Sequence, residues 1–161
     1  MKDYEGDIKI VYKHFVVHPQ TATEPALASC AAGMQGKFSE MEHAIWEKAY
    51  AKRDFAPATL EAIAKDVGLN MDKYKADKDG ACKERIRKDQ AELGAVGTSG
   101  TPAFYINGRF LSGARPIDQF KALVDEELKK ANDRISKGEA TAANYYDTFV
   151  QKKGLKKLEG Q

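Results

Sequence analysis

The sequence predicts an α/β fold in which a long helical insertion separates one β-type segment from a hairpin and a closing helix. Three observations predict it. Asp7–Val17 is rich in Ile, Val, Tyr and Phe, apolar residues recur every three to four positions from about Thr23 to Leu93, and Asn107-Gly108 stands between two apolar runs. The first is the composition of a strand, the second is the spacing of helices, and the third is the strongest short signal for a hairpin.

Taken in order, Asp7–Val17 ends at His18-Pro19, whose proline has no donor for a strand ladder. Ile8, Ile10, Tyr12 and Val16 occupy one alternation phase and Val11, Phe15 and Val17 the other, so the strand is expected to be covered on both faces. Leu27, Cys30, Ala31 and Met34 mark a first helix from Thr23, with Pro25 where an early helical proline is tolerated. Phe38, Met41, Ile45 and Ala49 mark a second, with Ser39-x-x-Glu42 as a capping box. Leu60, Ile63, Ala64 and Val67 mark a third, stopped by Gly68. Asn70 is placed to cap a brief helix through Tyr74, and Asp79 a longer one carrying Cys82, Ile86 and Leu93. Four to five helices thus fill the stretch 23–94.

Gly94, Gly97 and Gly100 then punctuate a loop, and Ala103–Ile106 and Arg109–Leu111 are the arms of the hairpin. Pro116 opens a long amphipathic helix with Ile117, Phe120, Val124, Leu128, Ala131 and Ile135 on the face expected to pack on it. A last helix is expected around Tyr145, Tyr146, Phe149 and Val150, followed by a frayed Lys152–Lys157 tail. The domain is expected to occupy 1–138, with 139–161 as a helical extension and tail.

Charge excludes some classes of partner. With 26 basic and 24 acidic residues and a formal net charge of +2, the chain has no field to hold nucleic acid or an anionic membrane. No apolar run approaches the roughly 18–20 residues of a spanning helix, and the chain opens on Lys2, Asp3 and Glu5 rather than on the apolar segment of a signal peptide. His14, His18 and His43 stand singly, without metal-ligand spacing, so neither a metal nor another cofactor is expected. Trp46, Tyr145 and Tyr146 are read as core or docking aromatics.

The run Gly97-Thr98-Ser99-Gly100-Thr101-Pro102-Ala103-Phe104-Tyr105-Ile106-Asn107-Gly108, continuing through Leu111-Ser112-Gly113-Ala114 and Pro116 to Phe120, resembles the second half of a DsbA-like thioredoxin-fold domain. Gln35-Gly36-Lys37-Phe38 with Met41, and Ile10-Val11-Tyr12-Lys13 through Phe15, resemble it upstream. The resemblance implies a thioredoxin-like fold with the helical insertion between its first strand and a cis-proline hairpin. It also implies that Thr101 and Pro102 bind substrate: Pro102 follows a cis bond, and Thr101 offers main-chain hydrogen bonds to an extended polypeptide. Proteins of this family oxidise or exchange disulfides outside the cytoplasm, so a periplasmic or other extracytoplasmic site is implied.

One family feature is missing from this sequence. The strand and C-x-x-C that open such domains have no counterpart before Asp7, so no catalytic residue is assigned. By the family's topology that strand lies between the first strand here and the Ala103 strand. The expectation is therefore a fragment of a longer protein, or a homodimer or strand-swapped dimer in which Ile8–Val17 finds its partner outside the chain. Cys30 and Cys82 lie 52 positions apart on apolar helix faces and are read first as inert core residues. A structural disulfide between them, or a catalytic thiol, are the alternatives. The reading is of a thiol-disulfide oxidoreductase-family domain without its redox dithiol, inactive alone. The alternative is a non-catalytic peptide-binding module using the Thr101-Pro102 edge.

Overall fold

The computed structural model describes residues 2–153. The tail expected at Lys152–Lys157 lies outside the described residues from Gly154 onward. A 3₁₀ turn, Lys2–Tyr4, and an extended segment precede α1 (Pro19–Gly33) and α2 (Phe38–Ala44). The second helix runs on through a π-helical stretch, Ile45–Ala49, and a 3₁₀ turn, Tyr50–Lys52. Next come α3 (Pro57–Asp66), α4 (Met71–Asp79), α5 (Ala81–Ala95), β1 (Ala103–Ile106), β2 (Arg109–Ser112), α6 (Ile117–Ser136) and a final π-helical turn, Tyr146–Gln151. Among the described residues this is a helix-rich α/β chain with one two-stranded sheet. It divides into two compact units, Lys13–Leu93 and a second formed by the residues up to Tyr12 with those from Gly94 onward.

In the helical unit, α1 packs against α2, α3 and α4. Ala28, Ala31 and Ala32 are fully buried, and their small side chains let three neighbours approach one helix. Met41, Leu60, Ile63 and Tyr74 close around them, and each large apolar side chain so removed from water contributes on the order of 1.5–3 kcal/mol. Gly68, at φ +78°, ends α3, and the Asn70 carboxamide accepts from the Lys73 amide at 3.0 Å to cap α4.

Four local expectations are settled by the structure. The first helix starts at Pro19, so Pro25 lies inside it; the burial of α1 against three helices outweighs the lost main-chain bond. Ser39-x-x-Glu42 forms no capping box, because the helix begins at Phe38 and Glu42 instead accepts from the Trp46 indole at 2.7 Å. Asp79 is the last residue of α4 and pairs with Lys83 at 3.3 Å. Of the two readings of Trp46, core or docking aromatic, the core one falls: it is 54% exposed, beside Tyr50.

The largest correction concerns Asp7–Val17. The segment is extended but belongs to no strand, and Ile10, Val11 and Tyr12 are 60%, 66% and 63% exposed rather than covered. A strand needs a partner backbone, and here side chains of α5 take that place. The amide of His14 donates to Asp89 at 3.0 Å, the amide of Val16 donates to the Gln90 oxygen at 2.9 Å, and the Gln90 nitrogen donates back to the Val16 carbonyl at 3.2 Å.

The second unit is built on the hairpin. Asn107 and Gly108, at φ +47° and +87°, make the turn and fix the register Ile106↔Arg109 and Phe104↔Leu111. The long helix α6 packs on β1, with Phe104 and Phe120 edge to face at 4.8 Å. Val124 is buried on its inner face beside Glu127, whose carboxylate accepts from Lys130 at 2.7 Å and faces Arg109 at 3.4 Å.

Candidate functional site

The loop between α5 and β1 delivers Thr101 and Pro102 to the start of β1. Gly97, at φ +90°, turns the chain, and its amide donates to the Gly94 carbonyl at 3.0 Å. Thr98 is buried, with its hydroxyl 2.6 Å from the Tyr105 hydroxyl, so the loop is tied to the strand it feeds. Thr101 and Pro102 themselves are exposed, and the peptide bond between them is cis.

The hairpin register decides which main-chain groups of this edge are open. The Gly113 amide donates to the Pro102 carbonyl at 2.9 Å, extending the β2 pairing one step beyond Ala103. In an antiparallel pair the residues that bond to the partner alternate with residues that face away. Pro102, Phe104 and Ile106 therefore turn toward β2. Thr101, Ala103 and Tyr105 present their N–H and C=O groups on the opposite edge, and among the described residues β1 pairs only with β2. The side chains flank this edge from two faces, with Phe104 against Phe120 and Tyr105 against Phe110.

The cysteines are not free. Cys30 and Cys82 form a disulfide, with S–S 2.11 Å and Cα–Cα 5.8 Å, and are 3% and 0% exposed in the helical core. They are core residues as read, but the alternative of a structural disulfide replaces that of unpaired thiols, because α1 and α5 bring the two positions together. With both sulfurs bonded and buried, neither can attack a substrate disulfide, which requires an accessible thiolate.

His18 and His43 are exposed, and His14 is half-buried with its ring edge-on to Phe38. Burial holds the His14 imidazole below the ordinary histidine value, against the pull of the Asp89 carboxylate. Among the described residues no group of three His, Cys, Asp or Glu side chains could hold a metal ion.

The sequence reading missed the polar cluster that holds the extended segment. The Lys13 ammonium donates to Asp89 at 3.1 Å and to Glu92. Burial works against its charge, but its hydrogen bonds to the two carboxylates outweigh that and hold its pKa above the usual lysine value. A signal was present: Asp89 falls on the Cys82–Ile86–Leu93 stripe of α5, and a carboxylate on an apolar stripe asks for a partner.

Comparison with known proteins completes the assignment. The chain is 35% identical over 124 residues to the Na(+)/H(+) antiporter NhaA 1 of Salinispora arenicola, covering 73% of this chain and 18% of that protein. It is 32% identical over 142 residues to the Na(+)/H(+) antiporter NhaA 3 of Salinispora tropica, covering 84% and 21%. The Na(+)/H(+) antiporter NhaA of Herminiimonas arsenicoxydans is 33% identical over 113 residues, covering 69% and 17%. The chain thus spans about a fifth of the length of these curated relatives. No solved structure gives a significant match. The sequence profile of DSBA-like thioredoxin domains matches residues 5–125. Because that match runs from before the extended segment, through the helical unit and the hairpin, into α6, the chain belongs to the family of DSBA-like thioredoxin domains.

Proposed function

We propose that this chain is the polypeptide-docking part of a thiol-disulfide oxidoreductase domain, with Thr101 and Pro102 at the head of the docking edge. The observation that carries the reading is the hairpin register, which leaves the main chain of Thr101, Ala103 and Tyr105 open on one side of β1. An extended polypeptide adds to such an edge through main-chain hydrogen bonds, which are indifferent to sequence and suit a domain that meets many partners. The domain occupies 1–138, with 139–161 appended, and works outside the cytoplasm. The buried Cys30–Cys82 disulfide supports that location, because such bonds persist in oxidising compartments.

The chain's own role is binding rather than turnover. Its two cysteines are joined in a core disulfide, and that bond, the chain's own dithiol couple, is buried away from the thiolate of any substrate. The antiport in the relatives' names is not proposed for this chain. The match covers about a fifth of those proteins, and among the described residues no helix is long and apolar enough to cross a membrane. A second copy of the chain is a further polypeptide partner, in a homodimer paired or swapped through Ile8–Val17. The exposure of Ile10 and Val11 supports it.

An edge-specific substitution tests the reading. Ala103→Pro removes a donor that faces away from β2 and leaves the β2 ladder its bonds. Binding of a fluorescent, cysteine-free extended peptide should weaken by roughly tenfold, the loss of one hydrogen bond that is not replaced. Unchanged binding in a variant with an intact near-UV spectrum would overturn the assignment. In an insulin-reduction assay the chain should show no turnover; turnover abolished by Cys30→Ser would contradict the binding role.

A further inference from the structure

Within the helical unit, α1 and α5 border an open groove of about 510 Å³ that the docking edge does not use. Its lining is mostly apolar, with Leu27, Ile86 and the small, exposed Ala91 among the lining residues. The charged residues lining it are Lys83 and Arg87, and no carboxylate lines it. These two cations lie four positions apart on α5, so they stand on the same side of the helix, one turn from each other. Their present partners are outside the groove: Lys83 is 3.3 Å from Asp79, and Arg87 is 2.6 Å from Glu84, with all four side chains more than half exposed. Ion pairs so open to water contribute little and exchange readily for other anions.

We propose that this groove docks an amphipathic helix of a partner polypeptide. Its leucine-type side chains seat over Leu27, Ile86 and Ala91, and carboxylates one turn apart meet Lys83 and Arg87. The occupant is helical because a trough between two helices receives the ridge of a third, and because Ala91 allows its backbone to come close. It is acidic because the groove offers two cations and no anion. Gln90 also lines the groove, and its carboxamide holds both main-chain groups of Val16. Occupancy therefore reaches the extended segment and gives a readout separate from affinity.

The probe is a synthetic amphipathic peptide with leucines at every third and fourth position and glutamates between, titrated calorimetrically into the full chain beside a version carrying lysines in place of the glutamates. The glutamate peptide should bind saturably and at least roughly tenfold more tightly than the lysine peptide, a difference set by charge complementarity. Lys83→Glu combined with Arg87→Glu should reverse the preference. Ala91→Arg, at an exposed position, should abolish binding without changing the near-UV spectrum. The Val16 amide should shift on titration. Equal binding of the two peptides, no binding of either, or binding unchanged in Ala91→Arg would overturn the proposal. Dodecanoate binding without glutamate-peptide binding would also overturn it, by assigning the groove to a lipid carboxylate.

Discussion

The helical unit and the hairpin unit solve the problem of burial differently. Between Lys13 and Leu93, α2, α3 and α4 close around α1, and a disulfide joins Cys30 of α1 to Cys82 of α5. From Gly94 onward the apolar burial is thin: Val124 and Tyr145 are buried, and buried Thr98 and Glu127 need polar partners. Among the described residues the sheet there has two strands, and one edge of β1 is open. The difference teaches where function can sit. A helix bonds its main-chain groups within itself and offers a partner mainly side chains, whereas a strand edge offers hydrogen bonds that any extended polypeptide can complete.

If the helical unit depends on its cross-link, breaking it should have the largest effect. On the chain-entropy account, a bond closing a loop of 52 residues contributes about 4 kcal/mol. Cys30→Ser with Cys82→Ser should lower the unfolding free energy of that unit by an amount of that order, read by denaturant titration of the helical circular dichroism. A loss under about 1 kcal/mol would mean that helix packing alone sustains the unit.

Packing comes next. Leu60→Ala, at a position 1% exposed, should cost about 2–5 kcal/mol. Ile117→Ala on α6, 57% exposed, should cost under about 0.5 kcal/mol. Equal effects at the two sites would erase the contrast between the units.

A smaller effect, of opposite sign, sharpens the description of the helical core. The Tyr74 hydroxyl is buried without a hydrogen-bond partner, and burial, reinforced by Glu61, Glu24 and Asp79, pushes its pKa up to about 12. Tyr74→Phe should leave stability unchanged or raise it by up to about 1 kcal/mol, since no hydrogen bond is lost. Because the folded-state value is raised, the unfolded chain loses this proton first. The contribution is complete below the ordinary tyrosine value near 10 and is lost as pH rises through about 12. In an alkaline titration followed by tyrosinate absorbance, Tyr74 should be among the tyrosines that resist ionisation, with Tyr4, whose hydroxyl bonds to Asp125, and Tyr74→Phe should remove one resistant tyrosine.

The smallest effect is expected at His14. Burial lowers its folded pKa, so its contribution is present above the ordinary histidine value of 6.5 and is lost as pH falls through the lowered one. His14→Gln should flatten a shallow decline of stability on acidification. An unchanged decline would assign it to other groups.

Much of this architecture was legible because local pattern determines it. Apolar spacing places α1 to α6, Gly68 and Asn70 mark the junction of α3 and α4, and Asn107-Gly108 fixes the hairpin register. The features that were not legible depend on what distant residues meet. Ile8–Val17 has strand composition, but composition describes fit to a pleated surface and cannot supply the second backbone that makes a strand. The cysteines could be placed on apolar stripes, yet spacing along the chain does not reveal that two stripes 52 residues apart face each other. Thr101 and Pro102 were found through a resemblance; the outward main chain of Ala103 and Tyr105 followed only from the pairing.

The central claim is that the open edge of β1 is where an extended polypeptide docks. Amide hydrogen exchange with and without a saturating cysteine-free peptide tests it most directly. The account predicts that the amides of Thr101, Ala103 and Tyr105 become protected when the peptide is present, while those of Phe104 and Ile106, already turned toward β2, change little. Protection confined to other residues, with Ala103 and Tyr105 exchanging as fast as in the free chain, would contradict it.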